Sequence, residues 1–134
     1  MTITPVRVFT LVALLSLPSA VVLGDAATHA QLRKERDAVL AQIVSLEESK
    51  VASGVGDEAA ILAAKVALYS FRRDAGATKE EKLKQQLLVV GLCEQRLAVS
   101  KEHAKTGVVG SVEVLKATDA FLAAKQLLEE LKGE

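Results

Sequence analysis

Gly107-Val108-Val109-Gly110-Ser111-Val112-Glu113-Val114-Leu115-Lys116-Ala117 decides how this chain folds. It interrupts a long helical pattern with glycines and then begins another. A second stretch has the same design: Gly54-Val55-Gly56-Asp57-Glu58-Ala59-Ala60-Ile61-Leu62-Ala63-Ala64. The offset, 107 − 54 = 53 residues, lays Ile61-Leu62 on Val114-Leu115 and Ala64 on Ala117. It also lays Ala67-Leu68 on Ala120-Phe121. A period of this size marks a structural repeat. Each copy is a corner between two helices, so the chain reads as two helical hairpins in tandem.

Working outward, the helix before the first corner is predicted over about 28–53. Leu32, Val39 and Leu46 recur every seven residues, and Leu40, Ile43 and Val44 widen the stripe. Arg33, Lys34, Asp37, Glu47 and Glu48 supply the opposite face, giving an amphipathic period near 3.5. Asp57 suits the N-cap of a second helix, over about 58–73, whose alanines favour helix and close approach. Ile61, Leu62, Val66, Leu68 and Tyr69 are its apolar side. Asp74-Ala75-Gly76-Ala77-Thr78 separates the hairpins, with Gly76 expected as the C′ residue just past the helix. Thr78-Lys79-Glu80-Glu81 is a capping box opening a third helix, over about 79–105. Its predicted seam is Leu83, Leu87, Val90 and Leu97, with Leu88, Leu92 and Val99 beside it. Gly91 inside it fits either a close helix contact or a neutral exposed site. Ser111 is the expected N-cap of a fourth helix, running to about 132, with Val114, Leu115, Phe121, Leu122, Leu128 and Leu131 inward. Short connections force consecutive helices to pack antiparallel. The fold class is therefore all-α, with four helices in two tandem antiparallel hairpins. These either close as an up-down-up-down four-helix bundle or stay extended as coiled coil.

The first residues read as a leader. Arg7 is the one charge before Asp25, Val8 to Leu17 is largely apolar, and Pro18 and small residues follow to Gly24. That is the order of a secretory signal peptide over 1–24, with a helical double-hairpin domain over 25–134. Cleavage after Gly24 places Val22 and Gly24 at the recognition positions; cleavage by Ala27 is the alternative. An uncleaved anchor fits less well, because a span needs roughly 20 apolar residues and this stretch is shorter and holds Pro18. The expected location is periplasmic or secreted, with no transmembrane segment in the mature chain.

Removing Arg7 leaves 16 of the 17 basic side chains against 17 acidic ones, a net charge of −1. A nucleic-acid partner needs a basic face that this balance does not supply. Tyr69, Phe71 and Phe121 are the aromatics after the leader, too few for a stacking platform. The lone Cys93 cannot form an internal disulfide; it shares a helix face with Val90 and Leu97 and reads as a small buried hydrophobe. The sharper alternative is an intermolecular bridge or a reactive thiol. His29 and His103 are far apart and neither has a second ligand one turn on, whereas zinc needs three or four converging ligands. Glu47-Glu48, Glu80-Glu81 and Glu129-Glu130 read as solvated faces and helix ends. Gly54-Val55-Gly56 lacks the rest of a nucleotide loop, and no serine sits in a nucleophile elbow. Neither catalysis, a metal nor a cofactor is expected.

The stretch from Gly107 to Ala117, with the following Ala117 to Leu128, resembles the helical-hairpin tip and returning helix of the TolC-type outer-membrane efflux family. Gly54 to Ala64 resembles the same tip more loosely, because Asp57 and Glu58 shift its acidic position. The resemblance spans roughly residues 28–134 and implies a periplasmic coiled coil whose tips meet envelope or efflux components. Gly107, Val108, Val109, Glu113 and Val114 would be tip contacts, with Gly54 and Val55 in the first copy. The family also carries membrane strands between its hairpins. Here Asp74 to Thr78 stands in that place, and a barrel strand needs about nine to eleven residues. The expectation is an exported, non-enzymatic hairpin protein that acts by packing on protein partners or on itself through apolar helix faces. The alternative is a self-contained four-helix bundle holding a small ligand or metal.

Overall fold

The structure is a computed structural model that describes residues 26–134. The leader predicted over 1–24 lies outside them. The described residues form four α-helices and no strand: α1 Ala26–Ala52, α2 Glu58–Ala75, α3 Lys79–Lys105 and α4 Ser111–Gly133. At 1.5 Å per residue, α1 and α3 are each about 40 Å long and α2 about 27 Å.

The helices run up, down, up, down, and their close backbone contacts join only neighbours in sequence. The α1 backbone comes within 8 Å, Cα to Cα, of neither α3 nor α4. The arrangement is therefore a four-helix row left open between its first and last members. Both glycine corners lie at one end; the α2–α3 turn lies at the other. The Lys79 ammonium reaching the Lys132 carbonyl at 3.1 Å ties the start of α3 to the end of α4 at that second end.

The core sits where α2, α3 and α4 converge. Val89, Cys93 and Ala124 are buried together, and Val66, Tyr69, Val90 and Phe121 pack against them. Alanines at Ala117 and Ala124 let α4 sit close on α3. Gln86 is the largest fully buried side chain, at 0 % exposure. Its amide donates to the Ala124 carbonyl at 2.7 Å and accepts from the Arg73 guanidinium at 2.6 Å. One amide thus links α2, α3 and α4, and its polar atoms are satisfied, which makes its burial affordable.

α1 is the outlier. Val44 is its one buried residue, and residues 26–36 are all exposed. It is held to α2 by charge as well as packing. Arg72 grips Asp37 through two hydrogen bonds of 2.7 and 2.9 Å, and Lys65 meets Glu48 at 2.7 Å. Asp37 and Glu48 lie on the same face of α1 as the buried Val44. The Leu32, Val39 and Leu46 stripe, expected inward, faces out and all three are exposed. Val39 lies five residues before Val44, about 140° round the helix.

The other seams hold in part, with Leu97, Leu128 and Leu131 buried as expected. On α3 the buried line is Gln86, Val89, Cys93 and Leu97, while Leu87 and Leu88 are exposed. On α4 it is Ala117, Ala124, Leu128 and Leu131, while Leu115 and Leu122 are exposed. The capping box forms: Glu81 N–H donates to Thr78 Oγ1 at 3.2 Å and Thr78 N–H to Glu81 Oε2 at 3.3 Å. Two end assignments change. Gly76 caps α2 at φ −61°, outside the left-handed region expected of a C′ glycine. Gly110 caps α4 without a side-chain bond, and Ser111, the expected cap, is the first helical residue.

Candidate functional site

The two corners are built alike, bond for bond. Gly54 and Gly107 have φ of +79° and +74°, a backbone region that glycine enters without steric cost. In the first corner Gly54 N–H donates to the Val51 carbonyl and Val55 N–H to that of Lys50, both at 3.0 Å. In the second, Gly107 N–H donates to Ala104 at 3.2 Å and Val108 N–H to His103 at 2.9 Å. This is the Schellman helix ending, made twice at an offset of 53 residues. Even the side-chain caps repeat, with the Ser53 hydroxyl on Lys50 and the Thr106 hydroxyl on His103.

That ending throws the next residue outward. Val55 is 82 % exposed and Val108 70 %, so one end of the row carries two projecting valines. Val109 and Val114 are half-buried behind Val108, and Glu113 is exposed and ion-paired with Lys116 at 2.8 Å. The fold brings Gly54, Val55, Gly107, Val108, Val109, Glu113 and Val114 to the same end. The corners differ in two respects. Asp57 accepts a hydrogen bond from Ala59 N–H at 3.0 Å, and Gly110 in its place has no side chain to do so. A Cβ at Gly56 would lie 2.6 Å from the Val51 backbone nitrogen, whereas Val109 occupies the equivalent place in the second corner.

Two open helix faces accompany the corners. α1 exposes Leu32, Val39, Ile43 and Leu46; α4 exposes Val112, Leu115 and Leu122. Residues three, four and seven apart share a helix face, so each set is one apolar stripe. Sequence reasoning placed all of these but Val112 on the inward stripes. It missed Gln86, because a polar residue in a helical seam reads as surface until its partners are seen.

The remaining chemistry is quiet. Burial pushes the Cys93 thiol pKa upward, with Arg96 acting in the opposite sense, so the thiolate that reactivity needs is disfavoured. No group of three or more His, Cys, Asp or Glu side chains that could hold a metal occurs among the described residues. A shallow groove where α1, α2 and α3 meet has a mixed lining that includes Arg33, Asp37, Phe71, Glu81, Lys84 and Gln85. The Gln85 side-chain oxygen is buried there without a hydrogen-bond partner. No helix among the described residues is long and apolar enough to cross a membrane.

These features define an all-helical repeat of two hairpins with matched corners and exposed apolar edges. Comparison with known protein families, with curated proteins and with solved structures finds no match to this chain.

Proposed function

We propose that this chain is an exported double hairpin that works without catalysis, by packing its glycine corners and apolar helix faces on other protein. The observation that carries the reading is the pair of matched corners, which set Val55 and Val108 outward at one end of the row. Both valines stand on hydrogen-bonded corners, which hold two apolar side chains at fixed places on one end. The resemblance of Gly107 to Ala117 to an efflux-channel hairpin tip adds the proposal that the corners meet an envelope component. No barrel is proposed, for want of strand length between the hairpins.

A photo-activated cross-linker placed at Val55 or Val108 in cells tests this. Capture of one discrete protein at both corners, and none at the exposed Lys84 at the other end, is the expected result. Equal labelling at all three positions would remove the corners from the reading. The mass of the recovered protein tests export: loss of residues 1–24 is expected, and an intact leader in the soluble cell interior would overturn it.

A further inference from the structure

Within the chain the two repeats meet once, through α2 and α3. The repeat offset shows what the outer helices have left unused. Moving 53 residues on from the α2 line Leu62, Val66, Tyr69 and Arg73 gives Leu115, Asp119, Leu122 and Gln126, all exposed on α4. Moving 53 residues back from the α3 line Gln85, Val89, Leu92, Arg96 and Val99 gives Leu32, Arg36, Val39, Ile43 and Leu46, all exposed on α1. None of the nine α2 and α3 residues is exposed. Spacings of four, three, four and three residues put these α3 positions on one helix face, and two of them, Val89 and Gln85, meet α2. Val89 packs with Val66 and Tyr69, and Gln85 shares a groove with Phe71, Arg72 and Ala75. The open stripe of α4 is thus the counterpart of the covered stripe of α2. The open stripe of α1 is the counterpart of the covered stripe of α3.

From this match we infer that the occupant of both faces is a second copy of this chain, with α4 of one protomer packed on α1 of the next as α2 packs on α3. This rests on the packing function proposed above and names its partner. The polar residues of the two stripes agree with it. Arg73 donates to Gln86 across α2 and α3; the equivalent positions hold Gln126 and Arg33, the same donor and acceptor exchanged. Val66 and Val89 belong to the apolar centre of the internal contact; their equivalents are Asp119 and Arg36, of opposite charge. Asp119 is exposed, and Arg36, though its guanidinium lies 4.8 Å from the centroid of the Phe71 ring of α2, is exposed as well. Neither replacement puts like charges together. The contact is head-to-tail, using different faces on its two sides, so it closes a ring or continues as a filament.

Light scattering on the purified full-length protein tests the inference, with Val39→Glu to block α1 and Leu122→Glu to block α4. Both positions are exposed, so helical content by circular dichroism should not change. Wild type is expected to exceed the mass of one chain, and each variant alone to fall to one chain. An equal mixture of the two variants should form a species of two chains and no larger, because one intact α4 and one intact α1 remain. Arg36→Asp or Asp119→Arg should each weaken association at least tenfold, and the double reversal should recover it. A wild type of single-chain mass at every concentration would overturn the inference. So would a Leu122→Glu variant that still dimerises, which would mean α1 pairs with itself. Corner cross-linking without self-association would remove this pairing and leave the packing function standing. Self-association by this route without corner capture would remove the corner reading alone.

Discussion

The two hairpins share a corner and differ in how the helices beside it are covered. Gly54 and Gly107 end their helices with the same hydrogen bonds, yet α3 and α4 bury seams of four residues each where α1 buries one. Hairpin α3–α4 is joined through small residues and a buried amide. Hairpin α1–α2 is joined through Asp37–Arg72 and Glu48–Lys65. The equivalents of those charged residues are Val90 with Lys125 and Lys101 with Thr118, so neither ion pair is repeated. A corner that is local in sequence can be copied whole. A helix face takes its meaning from its neighbour, and the outer helices have one neighbour where the inner helices have two.

The sharpest way to break this comparison uses one residue type at equivalent places. Leu62 is 5 % exposed and Leu115, its counterpart 53 residues on, is 66 % exposed. Leu62→Ala should cost roughly 2–5 kcal/mol of unfolding free energy, as buried leucine truncations do. Leu115→Ala should stay within about 0.5 kcal/mol for the isolated chain. Urea unfolding of both variants checks it, at a concentration too low for self-association. Similar losses would mean that α4 is covered within the chain.

Next in size are the corners. Gly107→Val places a β-branched side chain at φ +74° and should cost roughly 1–3 kcal/mol, and Gly54→Val the same. A Cβ at either site meets no atom within 4 Å, so the penalty is one of backbone strain and not of crowding. Gly91→Ala is the opposite case. Gly91 is helical, and a Cβ there also meets nothing, so the change should stabilise by about 1 kcal/mol through helix propensity. Thermal melts of the three variants should separate two losses from one gain. A loss at Gly91 would revive the close-contact reading of that position.

How much of this was legible follows the same division between local and tertiary. The capping box at Thr78–Glu81, the Asp57 cap and both left-handed glycines were readable, because each depends on residues within one turn. The fourfold helical count and antiparallel order were readable from short connections. The inward faces were readable in part: Leu62, Leu68, Cys93, Leu97, Leu128 and Leu131 are buried as expected, whereas Leu32, Val39, Leu46, Leu87, Leu115 and Leu122 are exposed. α1 carries two apolar edges, one through Leu40 and Val44 and one through Leu32, Val39 and Leu46. Periodicity alone cannot say which edge meets α2. The edge that does carries ion pairs to Arg72 and Lys65, which join residues 35 and 17 positions apart. Gln86 was illegible for the same reason: its partners are Arg73 and Ala124, on two other helices.

The smallest expected effect probes that charged join. Hydrogen bonds from Arg72 hold the Asp37 carboxyl below the ordinary range, against the pull of desolvation. The pair is about one-third exposed, so its worth is at most about 1 kcal/mol. A carboxyl whose pKa is lower in the folded state adds stability only while ionised. That contribution is complete above the unfolded value of about 3.9 and disappears as pH falls through the lower folded value. Asp37→Asn should therefore melt slightly below wild type near neutral pH, with the gap closing as pH falls below about 4. Hairpin α3–α4 has no such pair, so Lys125→Gln, at the place equivalent to Arg72, should leave the pH dependence of the melt as it is in wild type. A gap for Asp37→Asn that persists unchanged at low pH would show that α1 is held by apolar contact alone, and the contrast between the two hairpins would lose its electrostatic half.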